Sequence, residues 1–237
     1  MVKIECVINA HNEGSLLLSA LKSAQLAAIE VEKIEVRVAI TVIVDAGSPE
    51  TLIAARSFGE SATVKEVNFR DLASSRNFAV SESDADYCAF LDGDDMWSPN
   101  WLLECMKFYL SGKSDVILHP EINVHFSGHK FGAVRVFRHL NTINGELDPF
   151  VLADQNVWSA LSFSSRNIYK SLPYLRADLA NGVGFEDWSF NISSINSGYS
   201  HLVVPGTAHF IRESNKNSMK RLHAKNGATY LSRSIWG

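Results

Sequence analysis

Hydrophobic and polar positions alternate in blocks along the first 110 residues, and these blocks predict strands followed by helices. Continuous apolar stretches rich in β-branched residues are typical of strands that are buried on both faces. Stretches with apolar residues three or four positions apart, rich in Ala and Leu, favour helices. The predicted strands are 2–9, 36–44, 62–67 and 87–91, and the predicted helices that follow them are 15–31, 49–57, 73–83 and 98–110.

Four strand–helix repeats predict a parallel sheet with helices on both faces, because right-handed crossovers return each strand to the same sheet. In such sheets, ligands bind beyond the carboxyl ends of the strands. The polar loops 9–14, 45–48 and 92–95 each follow a predicted strand. We therefore expect these three loops to line one crevice.

The pattern changes after residue 115, where short β-rich stretches lie between turn residues and predict a mixed or antiparallel extension. The predicted elements here are strands at 115–118, 121–126, 131–137, 200–204 and 207–212 and a helix at 187–198. No internal repeat or low-complexity linker divides the chain. We expect a single domain of two lobes, followed by a polar and basic tail from residue 214.

Composition and charge narrow the classes of function. The chain has 237 residues, of which 46% are hydrophobic, and 22 Lys and Arg against 26 Asp and Glu give a net charge of −4. This length supports a buried core, and the hydrophobic fraction excludes wholesale disorder. The mild acidity argues against a general nucleic-acid binder. An anionic ligand must therefore be met locally, by a metal ion, backbone amides or a few basic residues.

Cysteines and apolar runs indicate the compartment. Cys6, Cys88 and Cys105 are widely spaced among apolar residues, which favours reduced, packed thiols over disulfides or a zinc site. The N-terminal apolar stretch is too short and too polar for a signal peptide, and no run approaches the ~20 residues of a membrane span. We expect a cytoplasmic protein without a transmembrane segment, with peripheral attachment at the inner face of the membrane as an alternative.

Three carboxylates, those of Asp92, Asp94 and Asp95, lie within four residues directly after the fourth predicted strand. Their mutual repulsion favours a bound cation or full solvation. Hard oxygen ligands suit Mg²⁺ or Mn²⁺, whose remaining positions accept phosphate oxygens and water. The alternative is a solvated turn in which Asp95 caps the next helix. The position at the predicted crevice favours the metal site.

Histidines add no second metal site at this stage. His125 and His129 are four residues apart, which is a ligand spacing on a helix, but the local sequence predicts a strand and a glycine turn. His119 and His139 form no ordered pattern. We assign no zinc site.

Several segments, taken in order, resemble the inverting glycosyltransferases of family 2, which have the GT-A fold. Segment 6–14 is similar to the opening strand and "PTYNE" loop, 43–48 to "VDDGS", 72–80 to "ARNxG" and 90–95 to "FLDxDD". Segment 184–188 is similar to "GxEDW", and 209–219 faintly to "YRxxxxSM". The order and spacing of these segments are more specific than any one of them.

The resemblance implies an α/β fold of the GT-A type, the Rossmann-like mixed sheet of nucleotide-diphospho-sugar transferases, flanked by helices. It implies one domain over 1–237, with a nucleotide-binding half (1–110), an acceptor-binding half (111–213) and a C-terminal tail (214–237). It implies an inverting, metal-dependent transfer from a nucleoside-diphosphate sugar, with a UDP-sugar favoured, to a hydroxyl of a glycan or lipid-linked acceptor. Bacterial polysaccharide or glycan synthesis is the expected context, with Mn²⁺ or Mg²⁺ as the cofactor.

Matching positions carry the roles that the resemblance implies. Asp187 is the expected general base, and Glu186 orients it or the acceptor. The expected nucleotide-binding residues are Asn9, His11, Glu13, Asp45, Arg76 and Asp92. Asp94 is the expected main metal ligand, with Asp92 beside it, Asp95 supporting it and His209 completing the shell. Trp188 is expected to stack on the acceptor sugar.

Each role has a structural alternative. Arg76 can form an ion pair with a nearby acid such as Asp71, and His11 and His209 can make only structural contacts. Trp188 can pack beneath the lobe. The pair Glu186–Asp187 is also a favourable arrangement at a helix N-terminus.

Departures from the family pattern keep two other functions open. Asn9 replaces the usual Pro, His11 the Tyr, Ala46 the second Asp of "DDGS" and Ala79 the Gly. The first three lie in the expected nucleotide pocket, so a degenerate module that binds glycans or acts as a scaffold is one alternative. A nucleotidyltransferase is the other. It ranks lower, because 11–14 is neither Gly-rich nor basic, as a triphosphate loop would be.

Overall fold

A computed structural model describes residues 1–127, 133–142, 147 and 149–213 of the chain. The elements of the first half are β1 (Lys3–Ala10), α1 (Leu17–Glu32), β2 (Arg37–Asp45), α2 (Pro49–Arg56), β3 (Thr63–Val67), α3 (Leu72–Glu82), β4 (Tyr87–Asp92), β5 (Met96–Trp97) and α4 (Trp101–Leu110). The second half contains β6 (Val116–Ser127), β7 (Ala133–Arg138), α5 (Pro149–Asp154), β8 (Phe163–Ser165), α6 (Arg166–Ser171), α7 (Glu186–Asn196) and β9 (Ser200–Glu213). The predicted tail from residue 214 lies outside the described residues.

One mixed sheet runs through both halves, in the strand order β3-β2-β1-β4-β8-β6-β9-β5, and β7 pairs with β6. The first four strands in this order are parallel, as the alternating pattern predicts. β8 then joins β4 and β6 in antiparallel pairs, whereas β6 and β9 are parallel. The prediction of a mixed extension to a parallel sheet is therefore confirmed.

Two long strands differ from the prediction of several short ones. The predicted strands 115–118 and 121–126 form the single strand β6, and 200–204 and 207–212 form β9. The two strands pair along their length with a register shift at Pro120. Proline lacks the N–H that a ladder requires and is accommodated at such irregularities. The turn-forming residues that predicted strand ends therefore mark a bulge instead.

Helices cover both faces of the sheet and bury two hydrophobic layers. On one face, side chains of β1, β2 and β4 pack with α1 and α4, and on the other Val7, Ile43 and Phe90 pack with α3 and α6. A smaller cluster formed by Leu152, Trp158 and Ile192 joins α5 to α7. The three cysteines are free and buried, as predicted. None of the helices that the structure describes has the length and apolar character to cross a bilayer.

Helix starts follow the local sequence. Ser48 precedes Pro49, the first residue of α2, and its Oγ accepts a hydrogen bond from Thr51 N at 3.3 Å. Asp71 caps α3 through Oδ1, which accepts from Ser74 N at 2.7 Å. Both helices begin directly beyond the carboxyl edge of the parallel strands, so these caps fix the borders of the crevice.

Candidate active site

The three polar loops that follow β1, β2 and β4 contact one another, which confirms the prediction of a common crevice. Gly93 N donates to Asn9 O at 2.8 Å, and Ser48 N donates to His11 O at 3.0 Å. Gly47 makes the second contact possible, because a Cβ atom at this position would lie 2.7 Å from His11 O and would overlap the Val44 side chain. Only glycine allows the loops to approach so closely.

Asp45 is one of the expected nucleotide-binding residues, and its carboxylate accepts hydrogen bonds from donors of the same chain. Its Oδ1 accepts from Arg70 N at 2.8 Å, and its Oδ2 accepts from Asp71 N and Ser75 Oγ at 3.0 Å each. The carboxylate thus holds the loop in front of α3. His11 Nδ1 lies 2.6 Å from Asp45 O in a hydrogen bond, and the ring is exposed. The structural alternative for His11 therefore has a defined contact.

Asn9 and Glu13 lie at the floor and rim of the same crevice. Asn9 is buried beside Asp92 in the β1–β4 register, and neither polar atom of its side chain has a partner among the described residues. Glu13 Oε2 accepts from His11 N at 2.5 Å. Burial, with a smaller contribution from Asp92, raises the pKa of the Glu13 carboxyl. An unpartnered buried amide and a destabilised carboxylate are typical of a site that binds a ligand.

Arg76 joins the acidic turn after β4 to the start of α7. Its guanidinium is fully buried, with Nη1 2.9 Å from Glu186 Oε1 and Nη2 3.2 Å from Asp92 Oδ1. The guanidinium carbon lies 5.2 Å from the centre of the Tyr174 ring. Burial lowers the pKa of Arg76, but the negative charges of Asp92 and then Glu186 outweigh burial and raise the pKa above its usual value. The guanidinium therefore stays charged. Arg76 therefore does form ion pairs with nearby acids, but its partners are Asp92 and Glu186 and not Asp71, which caps α3.

The acidic turn presents its three carboxylates differently. Asp95 is buried, and its Oδ1 accepts from Arg212 N at 2.7 Å, so the alternative that Asp95 caps α4 is wrong. The Asp92 carboxylate pairs with Arg76, as described above. No other described residue donates a hydrogen bond to the Asp94 carboxylate. Burial, then the charges of Asp92 and Glu13, raises the pKa of Asp94 to about 7.

These carboxylates fit a cation that is shared with a phosphate ligand. Among the described residues, no three His, Cys, Asp or Glu side chains converge as a protein-only metal site. Mg²⁺ is commonly held by one or two carboxylates, with substrate phosphates and water completing its shell. Asp94 and Asp92 match that donor set, and a cation would relieve the repulsion that raises the pKa of Asp94.

His209, expected in the metal shell, has the contacts of a packed aromatic residue. It lies on β9 opposite Trp97, and its buried ring meets the Trp101 ring edge-on at 4.7 Å. Burial lowers its pKa well below the usual value, so the ring is neutral. The structural alternative accounts for the ring contacts, but neither ring nitrogen has a hydrogen-bond partner among the described residues. The role of His209 in a metal shell stays a prediction.

Glu186 and Asp187 open α7 behind a strained residue. Phe185 precedes the helix with φ 54°, a left-handed conformation that is costly for a bulky side chain. Asp187 Oδ1 accepts from Trp188 N at 2.9 Å, and Oδ2 accepts from Asn156 Nδ2 at 2.9 Å. Burial, then the charge of Glu186, raises the pKa of Asp187 to about 7. A carboxylate with this pKa can accept a proton at neutral pH.

Trp188 is anchored by packing. Its Nε1 donates to Leu152 O at 2.8 Å, and its ring packs partly buried against the cluster formed by Leu152, Trp158 and Ile192. The packing alternative accounts for these contacts. The role of Trp188 in stacking on a sugar stays a prediction.

Sequence reasoning missed Asn156, Asn191 and Tyr174. The two asparagines stand in line behind Asp187, because Asn191 Nδ2 donates to Asn156 Oδ1 at 2.8 Å. Tyr174 supports the guanidinium of Arg76. Single Asn and Tyr residues outside any motif carry no sequence signal, and all three lie outside the segments that resemble the family.

A parallel half extended by strands of mixed direction, with an acidic turn at the carboxyl end of β4, defines the GT-A class of fold. Residues 5–150, more than half of the chain, match the profile of glycosyl transferase family 2. The chain belongs to that family of glycosyltransferases.

Solved structures agree on the fold. Residues 1–349 of S. aureus TarS in complex with UDP-GlcNAc align with a TM-score of 0.70 at 15% identity, over 99% of this chain and 69% of that one. The mannosyltransferase PcManGT from Pyrobaculum calidifontis, in complex with GDP-Man and Mn²⁺, aligns with a TM-score of 0.63 at 12% identity, over 94% and 62% of the two chains. None of the curated protein sequences matches significantly.

Proposed function

We propose that this glycosyltransferase is an inverting enzyme that moves a sugar from a nucleoside-diphosphate sugar to an acceptor hydroxyl, with Asp187 as the general base. One observation carries the proposal: the buried Arg76 bonds both Asp92 of the acidic turn and Glu186, the neighbour of Asp187. This bridge supports a donor bound at the turn and a base at the start of α7. In this scheme, residues 1–110 form the nucleotide-binding half and 111–213 the acceptor-binding half.

Asp94, with Asp92 and support from Asp95, would hold Mn²⁺ or Mg²⁺ against the donor. The cation supplies a Lewis acid that neutralises the negative charge of the departing diphosphate. Asn9, His11, Glu13, Asp45 and Arg76 are proposed to face the nucleotide. Complexes of TarS with UDP-GlcNAc and of PcManGT with GDP-Man and Mn²⁺ support a nucleotide-sugar donor. We favour a UDP-sugar.

Asp187 would accept the proton of the acceptor hydroxyl as that oxygen attacks the anomeric carbon from the face opposite the diphosphate. A single displacement of this kind inverts the anomeric centre. The pKa of about 7 leaves Asp187 ionised above neutral pH and basic enough to take the proton. A glycan or lipid-linked acceptor in bacterial polysaccharide or glycan synthesis, at a cytoplasmic or inner-membrane location, fits this chemistry.

Calorimetry with UDP, GDP and dTDP, each with Mn²⁺ and then with EDTA, tests the donor site. We expect UDP, and neither GDP nor dTDP, to bind in the presence of Mn²⁺, and we expect EDTA to abolish this binding. Asp94→Asn should weaken this binding about tenfold or more, because it removes the available carboxylate. Asp84→Asn is the matched control, since Asp84 is exposed and paired with Lys3 near the opposite edge of the sheet. A UDP affinity that is unchanged by EDTA and by Asp94→Asn would contradict the proposed metal site.

A degenerate module that binds glycans without transferring sugar is the second candidate. It is favoured by Asp45, whose carboxylate already accepts three hydrogen bonds, and by Ala46, which has φ 49° where the family has Asp. The same calorimetry separates the candidates, because this module predicts no nucleotide binding under any condition. The nucleotidyltransferase alternative predicts turnover of a nucleoside triphosphate instead.

A further inference from the structure

We propose that Asn156 is a positioning residue that holds the Asp187 carboxylate ready to accept a proton, and that Asn191 supports the Asn156 amide from the side away from Asp187. This inference rests on the proposed role of Asp187 as the general base. The line of contacts starts at Asn191 Nδ2, which lies 2.8 Å from Asn156 Oδ1, and ends where Asn156 Nδ2 lies 2.9 Å from Asp187 Oδ2.

The chemistry of the three groups fixes the direction of each hydrogen bond. An ionised carboxylate only accepts, so the Asn156 atom that faces Asp187 must be the amide nitrogen. The carbonyl oxygen of Asn156 then faces Asn191 and needs a donor, which only the amide nitrogen of Asn191 can provide. Reversing the Asn156 amide would set its carbonyl against Asp187 and favour a protonated carboxyl. The ionised carboxylate therefore fixes the direction of both amides, and Asn191 supplies the hydrogen bond that holds Asn156 in place.

The surroundings of Asp187 give this donor its importance. Glu186, the adjacent residue, and Asp92 are negative groups that disfavour a second charge, and burial acts in the same direction. Arg76 is the positive group that opposes them, but its hydrogen bonds go to Glu186 and Asp92. Besides the backbone N–H of Trp188, Asn156 supplies the hydrogen bond that favours the ionised form of Asp187. The second carboxylate oxygen is also held in a fixed direction by this bond.

The test measures the pKa of Asp187 directly, by ¹³C NMR titration of carboxyl-labelled Asp, with Asp187→Asn used to assign the resonance. Asn156→Ala should raise this pKa by about one unit, because a hydrogen bond to a charged group is lost. Asn156→Asp should raise it further through like-charge repulsion. Asn191→Asp, which never touches Asp187, should also raise it. Asn196→Asp is the matched control. It adds the same charge to the exposed end of α7, about 13 Å from Asp187 along the helix axis.

The second readout is the release of UDP from UDP-GlcNAc as a function of pH. The acid limb of kcat/KM should move up by the same shift as the pKa of Asp187, with KM for UDP-GlcNAc unchanged. An unchanged pKa in both folded Asn156→Ala and Asn191→Asp, with folding checked by the dispersion of the same NMR spectra, would overturn the positioning role whatever the activity. If the variants shift the pKa of Asp187 but the wild-type protein turns over no nucleotide sugar, the contact exists and the proposed function is wrong. The contact would then have no catalytic purpose.

Discussion

Two groups of buried titratable side chains differ in how well the fold satisfies them. The first is the histidine cluster, formed by His119, His139 and His201. His201 shares hydrogen bonds with His119 Nε2 at 2.8 Å and with Ser194 Oγ at 2.6 Å, and its ring stacks on Trp158 at 4.0 Å. Burial lowers the pKa of His139 to about 4 and that of His201 to about 3, so both are neutral. Of the six ring nitrogens, only His119 Nδ1 lacks a hydrogen-bond partner among the described residues.

The second group is the acidic crevice, formed by Glu13, Asp92, Asp94, Glu186 and Asp187. Burial and mutual repulsion raise the pKa of Asp94 and Asp187 to about 7, and the neighbouring Asn9 amide has no partner among the described residues. Such an arrangement is unfavourable in the free protein. It becomes favourable when the carboxylates bind a cation or when one of them accepts a proton. Burial of titratable groups therefore does not by itself indicate function, whereas repulsion among buried carboxylates such as Asp94 and Asp187 points to a bound ligand.

The largest effect that would test this comparison is on catalysis. Asp187→Asn removes the base but keeps the shape of the side chain, so we expect turnover to fall by about 10²–10⁴-fold. Affinity for UDP with Mn²⁺ should stay within about twofold, because Asp187 lies outside the proposed metal ligands. Single-turnover kinetics and calorimetry on the same preparation measure the two quantities. A variant that keeps its turnover would remove Asp187 from the mechanism.

The next effect is on folding, through the residue that links both ends of the crevice. Arg76→Met leaves Asp92 and Glu186 without their buried cation, and we expect the free energy of unfolding to fall by about 3–5 kcal/mol. Urea unfolding followed by Trp fluorescence measures this change. Arg56→Met is the control, because Arg56 forms its ion pair with Glu66 at the surface. An equal effect of the two substitutions would contradict a special role for Arg76.

The parallel half could be predicted from sequence because its information is local. Apolar periodicity, a Ser–Pro helix start and polar residues after each strand place the crevice without any knowledge of packing. The first half also carries four of the family motifs, so Asp92 and Asp94 could be named. Asp187 could be named from segment 184–188 of the second half. The bridge through Arg76 could not be predicted in detail, since the choice between Asp71 and Glu186 depends on how α3 packs against α7.

The second half was harder to predict because its contacts are long-range. Pro120 and Gly206 indicate breaks by local rules, yet β6 and β9 run through them, since pairing along two long strands outweighs local preference. His119 and His139 formed no pattern in sequence, because His119 contacts both His139 and His201 only once these strands are paired. Asn156 and Asn191 are 35 residues apart and meet only when α7 packs beside the segment after α5.

A substitution in the histidine cluster should reverse the phenotype of the crevice. His201→Phe keeps a flat ring against Trp158 but leaves His119 Nε2 without a hydrogen-bond partner and removes one of the two partners of Ser194 Oγ. We expect the free energy of unfolding to fall by about 1–3 kcal/mol, with turnover unchanged within about twofold. Urea unfolding and UDP release measure the two quantities. A loss of turnover without a loss of stability would show that the histidine cluster serves catalysis and not the packing of the core.

The smallest expected effect is the pH dependence of that destabilisation. The pKa of His201 is about 3 in the folded chain against ~6.5 when unfolded, so the unfolded chain binds the extra proton as pH falls. Stability from His201 is therefore complete above pH ~6.5 and decreases below it. His201→Phe lacks this group, so its deficit relative to wild type should shrink by about 1 kcal/mol between pH 7.5 and pH 5.5. The raised carboxyl pKa values of the acidic crevice have the opposite effect on stability, because there the folded chain binds the proton at a higher pH than the unfolded chain. This effect is the same in wild type and variant, so it cancels in the difference between them. A deficit that grows toward pH 5.5 would mean that His201 is protonated in the folded state, and the cluster would then resemble the crevice rather than contrast with it.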